Sequence, residues 1–539
     1  MNQSGNSATS SYGSPFFWKT VLLFGVVWTF APLLFLPNYW LDTIEQIFVG
    51  KEWVLSTQKH PALTAIILHT FRSILKNAPF APYLLSQIMM GTVLWTVWRL
   101  GRLFLDPPRA AAALFVMLNY YWMNFGSVDY NNNVTLIFAW GLSFYFGLMA
   151  LRTDRLRDWI GLGIAVGIGL HLKYTEILFP TSLIIFLAWS KMRRRYFCSG
   201  RFWLAVAIAF LIFLPQTLWI LNGNLRTLQY ALTLERDENP AICHLVCPLH
   251  FTFSQTAYWG LSLLWLTPLF LGNADKKKSF HRYTTPLSME ESYLLWMTFL
   301  PFLIQVVYAA VSAHYVRFSL GCHLWIYIPI ILLRFLPIRQ DNTALKRTLF
   351  QNASLAVLVL LSSVAVTLLY PRITGRCSRY LFPGRALADR VEEAWHSRYD
   401  TPIPWAAGEW WLAGNLAVYG KDNPRILYSR EPDQFCGPWL VTTWGTYDDL
   451  RQQGGVLLWE IRESEPEVPN RLNELFPEAK READIYLNGL LTADKVRFRF
   501  GMATIPPDEK GSPRHKHKNF ALGNLKQKEI FVAKPRKSY

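Results

Sequence analysis

Two carboxylates three residues apart, Asp42 and Glu45, sit in the stretch Asn38-Tyr-Trp-Leu-Asp42-Thr-Ile-Glu45-Gln46. On a helix that spacing puts both on one face. Beside an apolar wall a carboxylate holds its proton more tightly, as a general base working near neutral pH must. The competing use of Asp42 is to cap the start of that helix. Gln58-Lys59-His60-Pro61 follows, ahead of another apolar stretch, and supplies positive donors. Cations beside carboxylates at a membrane face suit the departure of a phosphate-bearing lipid. Asp42 and Glu45 are therefore the candidate catalytic pair.

Three further groups have the same polar character. Val128-Asp129-Tyr130-Asn131-Asn132-Asn133 runs straight into a hydrophobic span. Asp129, Asn132 and Asn133 are candidate substrate-binding residues, although an amide run also serves as a helix cap or a turn. Lys173 and Tyr174 interrupt the hydrophobic stretch 158–190, where a lysine is either a snorkelling anchor or a functional group. Ala313-His314-Tyr315-Val316-Arg317 places one basic side chain at a span end, where it acts as a phosphate clamp or an interfacial anchor. The segment 223–256 adds Arg226, Tyr230, Arg236, Asp237 and Glu238, and Cys243 and Cys247 lie near His244 and His250. For these two cysteines a short disulfide, or no role, outweighs a metal site.

The elements that must position these residues are membrane spans. The chain of 539 residues is 52% hydrophobic and 15% aromatic but only 17% charged, with 23 Trp and 36 Phe. That composition suits a lipid-facing protein with aromatic belts. Apolar runs recur at 16–36, 81–105, 109–126, 133–151, 202–222, 257–273, 291–311, 320–337 and 348–370, and 158–190 reads as a broken hairpin of two short spans. With ~20 residues needed per crossing, this is about eleven spans. Arginine and lysine clusters follow every second span: Arg99 to Arg109, Arg152 to Arg157, Lys191 to Arg201, Lys276 to Arg282 and Arg334 to Arg347. The positive-inside rule puts those loops in the cytoplasm and the polar candidates on the opposite face. The net charge of +17 comes in good part from these loops, so a nucleic-acid partner is not expected.

Past Pro371 the composition shifts. Residues 383–397 and 406–419 read as helices, and Arg425–Tyr428, Trp439–Thr443 and Gly455–Ile461 as strands, which predicts a small α/β domain. The expected organisation is an irregular N-terminus at 1–15, a membrane domain at 16–370, an outer α/β domain at 371–508 and a basic tail at 509–539. The Trp410–Trp411 pair is expected at a core or membrane-facing edge, and Asp448–Asp449 at a helix cap.

The series Asp42-x-x-Glu45, Trp53, Lys59-His60-Pro61-x-Leu63, the helix start at Asn132–Asn133, Gly161 to Gly169 leading to Leu172-Lys173-Tyr174, then Leu214-Pro215 and Trp219, resembles the bacterial branch of glycosyltransferase family 39. These are relatives of the protein O-mannosyltransferases, with the aminoarabinose transferases as more distant cousins. The resemblance covers residues 15–370. It implies a GT-C membrane fold in the bacterial inner membrane, a polyprenyl-phosphate-linked sugar donor and chemistry at the periplasmic face. Asp42 matches the acidic residue that such enzymes use as a base or to position the acceptor. Lys59 and His60 match the segment that contacts the lipid phosphate, although His60-Pro61-Ala62 stands where Lys-Pro-Pro is common. With a pKa near about 6.5, His60 is largely neutral there. Asn132 or Asn133 matches a position that is aspartate in the aminoarabinose branch, and Lys173 matches a hairpin-tip lysine.

The expected scheme has Lys59, Lys173 and Arg317 offsetting phosphate charge while Asp42 takes the acceptor's proton. No cofactor is required, and a divalent metal at Asp42 is compatible without being needed. The acceptor is an envelope lipid, glycan or protein hydroxyl. The rival classes are a transporter or flippase, which internal repeats would favour, and a surface-glycan polymerase or ligase.

Overall fold

The computed structural model describes residues 12–57, 59–191, 193–222, 240–259, 286–336, 342–428, 442–461, 469, 475–492 and 496–507. Arg226, Tyr230, Arg236, Asp237, Glu238, the Lys276–Lys278 cluster, nearly all of the expected span 257–273, the start of the strand expected at Trp439 and the basic tail lie outside these residues.

Among the described residues, five helices are long and apolar enough to cross a bilayer. They are α1 (Ser14–Phe35), α6 (Asn132–Thr153), α9 (Gly200–Leu221), α11 (Met289–Ser312) and α13 (Asn342–Thr374). The apolar window of α6 is 72% buried, against 11% for α9 and for α13, so α6 is the axis of the bundle and the other two turn their side chains to lipid. Between them run α2 (Leu41–Gly50), α3 (Leu63–Ile74), α4 (Ala81–Phe104) and α5 (Pro107–Leu118), then α7 (Leu156–Leu172), α8 (Leu178–Trp189), α10 (Pro240–Gln255) and α12 (Ile328–Phe335). The broken hairpin is present: α7 ends at Leu172, Lys173 is extended and a single turn at Tyr174–Ile177 leads into α8. Glycines on α7 permit its close approach to α9, since a methyl group at Gly163 or Gly167 would press into Ala205, Ile208 and Ile212.

Two expected spans are not continuous helices. Helix α5 stops at Leu118, and two short turns cover Tyr121–Met123 and Phe125–Val128. The amides break it: Asn124 donates to the Leu118 and Tyr120 carbonyls and accepts from the Phe125 N–H at 2.6 Å, so it takes up backbone groups that a helix would use. The stretch 320–337 yields only the eight-residue α12, after a turn at Phe318–Gly321.

The C-terminal unit contains α14 (Gly384–His396), β1 (Trp405–Gly408), α15 (Trp410–Tyr419), β2 (Arg425–Tyr428), α16 (Tyr447–Gln453), β3 (Gly455–Glu460), β4 (Lys480–Arg481), β5 (Ile485–Asn488) and β6 (Arg497–Ile505). The sheet order is β2-β1-β3-β6-β4, with β5 also on β6. Strands β1, β2 and β3 are parallel, and β6 runs against β3. Alternation sends Ala406, Ile426, Val456 and Leu458 to one core and Trp405, Ala407, Leu427 and Leu457 to another. The helix expected over 406–419 starts only at Trp410, because Trp405–Gly408 is drawn into the sheet between β2 and β3. Asp449 forms the capping box of α16 with Thr446, as its sequence suggested.

This unit docks on α2. The Arg425 guanidinium pairs with Glu52 at 2.7 Å, Lys51 Nζ donates to the Pro424 carbonyl at 2.6 Å, and Asn38 Nδ2 donates to Asn415 Oδ1 at 3.1 Å. Helix α15 lies so near α2 that a Cβ on Gly414 would press into Ile44 and Phe48. On its other side α2 packs on α3, where a Cβ on Gly50 would collide with the Ala65 carbonyl and the His69 side chain. Gly50→Ala is expected to cost about 2 kcal/mol through this overpacking, read as a lowered unfolding midpoint in detergent.

Candidate functional site

Helix α2 begins without a side-chain cap of its own: Trp40 is the N-cap residue and Asp42 sits inside the first turn. The missing acceptor comes from elsewhere. Asp129 Oδ1 accepts from the Thr43 N–H at 2.9 Å and from Thr43 Oγ1 at 2.8 Å. An N-terminal orphan donor of α2 is thus satisfied across the bundle, and Asp42 is released from the capping role. The structure gives Asp129 a positioning task at the start of α2.

The amide run divides its work in a similar way. Asn131 caps α6 by accepting from the Asn133 and Val134 N–H groups. Asn132 is buried and knots four elements, donating to the Leu172 carbonyl at 2.8 Å and to Thr64 Oγ1 at 3.1 Å while accepting from Gln46 Nε2 at 3.3 Å. Asn133 Oδ1 accepts from Lys173 Nζ at 2.6 Å, which fixes the ammonium at the hairpin tip. Tyr174 faces α9, where its hydroxyl accepts from Gln216 Nε2 at 2.7 Å.

Lys59 and His60 ride on a tight loop closed by a bridge between Ser56 and Pro61. The His60 carbonyl accepts from the Thr57 N–H at 2.9 Å and from both neighbouring hydroxyls. Lys59 Nζ pairs with Glu45 at 2.9 Å and lies 5.1 Å from the centre of the Trp410 ring. Burial first, then Lys173 and the other cations around it, push the His60 imidazole down to about 3, so it is neutral and offers one N–H rather than a charge. Arg317 is exposed on the turn after α11, within electrostatic reach of His60 and Lys173.

Asp42 is the half-buried centre of this arrangement. Among the described residues no group donates a hydrogen bond to its carboxylate. Burial, then the like charge of Glu45, raise it to about 6, against the pull of Lys59, Lys173 and Arg379. Asp129 is likewise held well above the usual carboxylate range by burial and by Asp42. A cleft lined by Glu45, Gln46, Thr57, Lys59, His60 and Asn132 opens beside it. The arrangement can take a proton at Asp42 while several cations face a departing anion. Among the described residues no cluster of three or more His, Cys, Asp or Glu could hold a metal. Cys243 and Cys247 form a disulfide.

Two participants were missed. Trp410 is expected from sequence at a core or membrane-facing edge, and only the docking of α15 on α2 brings it over Lys59. Arg379 had no signal beyond its place after the last span; its carbonyl accepts from Asn38 Nδ2 at 3.3 Å, which ties it to the Asp42 loop.

The family pattern of the dolichyl-phosphate-mannose-protein mannosyltransferases matches residues 59–219, a segment that contains the Lys59 loop, the amide run and the hairpin tip. The lipopolysaccharide core galacturonosyltransferases RgtA and RgtB of Rhizobium johnstonii are 31% and 33% identical over 126 and 93 residues. Those matches cover 23% and 17% of this chain and about a quarter and a fifth of the relatives' own length (25% and 19%). The crystal structure of ArnT from Cupriavidus metallidurans bound to undecaprenyl phosphate superposes with a TM-score of 0.56 at 11% identity, covering 92% of this chain and 99% of that one. The shared architecture runs through both the helical bundle and the α/β unit, so this chain has the fold of that structure.

Proposed function

We propose that this protein transfers a sugar from a polyprenyl-phosphate donor to a hydroxyl of an envelope acceptor at the periplasmic face of a bacterial inner membrane. The reading is carried by one observation: a carboxylate that accepts no hydrogen bond from the described residues faces Lys59, Lys173 and Arg379. The acceptor oxygen attacks the anomeric carbon, its proton passes to Asp42, and the carbon–oxygen bond to phosphate breaks with its electron pair going to the leaving polyprenyl phosphate. A single displacement inverts the anomeric carbon. Lys59, Lys173 and Arg317 offset the charge of the leaving phosphate. The matches to lipopolysaccharide core transferases favour a glycolipid acceptor and an acidic hexose, and the ArnT complex favours undecaprenyl phosphate as the carrier.

The test is release of undecaprenyl phosphate from a radiolabelled undecaprenyl-phosphate hexuronic acid, with label appearing in envelope glycolipid. A flippase would move the label across the bilayer without cleaving it. Membranes that cleave no more than those carrying Asp42→Asn would overturn the reading.

Trp410 has a smaller, separable role in this scheme. Its ring lies 5.1 Å from the Lys59 ammonium that Glu45 also pairs with. Trp410→Ala is expected to weaken undecaprenyl phosphate binding about fivefold, the loss of one cation–π contact, and Trp410→Phe to restore part of it. A titration of both variants by tryptophan-independent calorimetry reads the difference.

A further inference from the structure

Two adjacent indoles at the start of α15 each carry a cation. The Lys59 ammonium lies 5.1 Å from the centre of the Trp410 ring, and the Arg379 guanidinium carbon lies 5.9 Å from the centre of the Trp411 ring. The transfer scheme gives the first of these cations a phosphate to hold and the second nothing. Arg379 stands in the single turn Arg379–Leu381, between α13 and α14. Backbone contacts fix that turn against the start of α2. The Arg379 carbonyl accepts from Asn38 Nδ2 at 3.3 Å, and the Tyr380 carbonyl accepts from the Asn38 N–H at 3.1 Å. The Tyr380 ring lies 5.0 Å from that of Trp40, the N-cap residue of α2, and Asp42 is in the first turn of that helix. Both cations act electrostatically on Asp42. The Arg379 side chain is nevertheless exposed, and among the described residues no acid stands within ion-pair distance of it and no oxygen accepts from its guanidinium. Its main chain and one buried indole therefore place it, while its fork of five donors stays open to a ligand. A planar fork of this kind suits a carboxylate, which it meets with two parallel hydrogen bonds.

We propose that Arg379 binds a carboxylate on the donor sugar and so selects a hexuronic acid over a neutral hexose, an inference that rests on the polyprenyl-phosphate donor reading. A hexuronic acid on a polyprenyl phosphate is anionic at both ends, at the C1 phosphate and at the C6 carboxylate. The cations on Trp410 and Trp411 offer one partner to each. Lys59, Lys173 and Arg317 come from the helical bundle and serve the phosphate. Arg379 comes from the far side of the last crossing and serves the sugar. The guanidinium also offsets the repulsion that a substrate carboxylate would exert on Asp42.

The experiment is equilibrium binding to the full-length protein in neutral detergent, without acceptor, read as displacement of radiolabelled undecaprenyl phosphate. Two donors compete with the label: undecaprenyl-phosphate hexuronic acid, and the same lipid with the C6 carboxylate reduced to the alcohol. The wild type is expected to bind the acid about tenfold more tightly than the alcohol, the worth of a charge-assisted pair at an exposed side chain. Arg379→Gln keeps the contacts to Asn38, which use main-chain carbonyls, and is expected to bind the two donors equally. Arg379→Lys keeps the charge without the fork and is expected to retain about a threefold preference. Equal binding of both donors by the wild type overturns the proposal. So does a full preference retained in Arg379→Gln. A loss of affinity for undecaprenyl phosphate itself as large as the loss for the acid donor would make Arg379 a phosphate contact and overturns it too. All three outcomes leave the donor reading standing, whereas a wild type that binds neither donor removes both.

Discussion

Asp42→Asn leaves a folded protein that transfers sugar about a hundredfold to ten-thousandfold more slowly than wild type, the range lost with a general base. Folding is retained because the carboxylate accepts no hydrogen bond from the described residues and α2 takes its N-terminal cap from Asp129. The same residue sets the pH dependence. The proposed reaction needs Asp42 ionised, and burial together with Glu45 raises its pKa to about 6. Apparent kcat/KM therefore falls tenfold per pH unit below that value and is flat above it. Glu45→Gln removes a like charge and releases Lys59 to act on Asp42, and both changes favour the carboxylate. The acidic limb moves to lower pH in that variant. A limb that stays in place, or an Asp42→Asn enzyme with normal turnover, removes Asp42 from the mechanism.

Lys59→Gln weakens undecaprenyl phosphate binding about tenfold to a hundredfold, the worth of a charge-assisted hydrogen bond in a partly enclosed site. Lys59 is well placed for this because it is already ordered. Glu45 holds it at 2.9 Å, Trp410 lies 5.1 Å away, and its loop is tied by the hydrogen bonds of Ser56 and Thr57. A phosphate can replace Glu45 at the ammonium without a large movement of the backbone. Binding by the wild type should fall with added salt, and less steeply in Lys59→Gln, since one screened pair has gone. Calorimetric titration of the purified variant decides it: unchanged affinity would make Lys59 a structural partner of Glu45 alone.

Much of the arrangement was legible from local chemistry. Lys173 was expected at the tip of a broken hairpin because polar residues interrupt an apolar run there, and α7 does end one residue before it. The shared face of Asp42 and Glu45 follows from their spacing once the stretch is helical, and Leu41–Gly50 is helical. The amide run was legible as a cap, but which of the three caps was not: Asn131 takes that role and leaves Asn132 and Asn133 to the bundle interior. The spans at 109–126 and 320–337 were overread because hydropathy counts apolar residues and is blind to side chains such as Asn124 that compete for backbone hydrogen bonds. The strand at Trp405–Gly408 was taken for helix, since four residues gain strand geometry only from neighbours at Arg425–Tyr428 and Val456–Leu458 that are distant in sequence.

By itself the sequence determined that long apolar runs dominate the first two thirds of the chain and that a few polar residues, Asp42, Lys59, the amide run and Lys173 among them, interrupt them. Those properties follow from composition and periodicity, which are local. Only the tertiary structure decided that Asp129 caps the helix carrying Asp42, that burial drives His60 far below its ordinary pKa, and that Trp410 and Arg379 come close to Lys59 and Asp42. Each of these depends on burial and on contacts between segments up to several hundred residues apart, and no spacing along the chain encodes them.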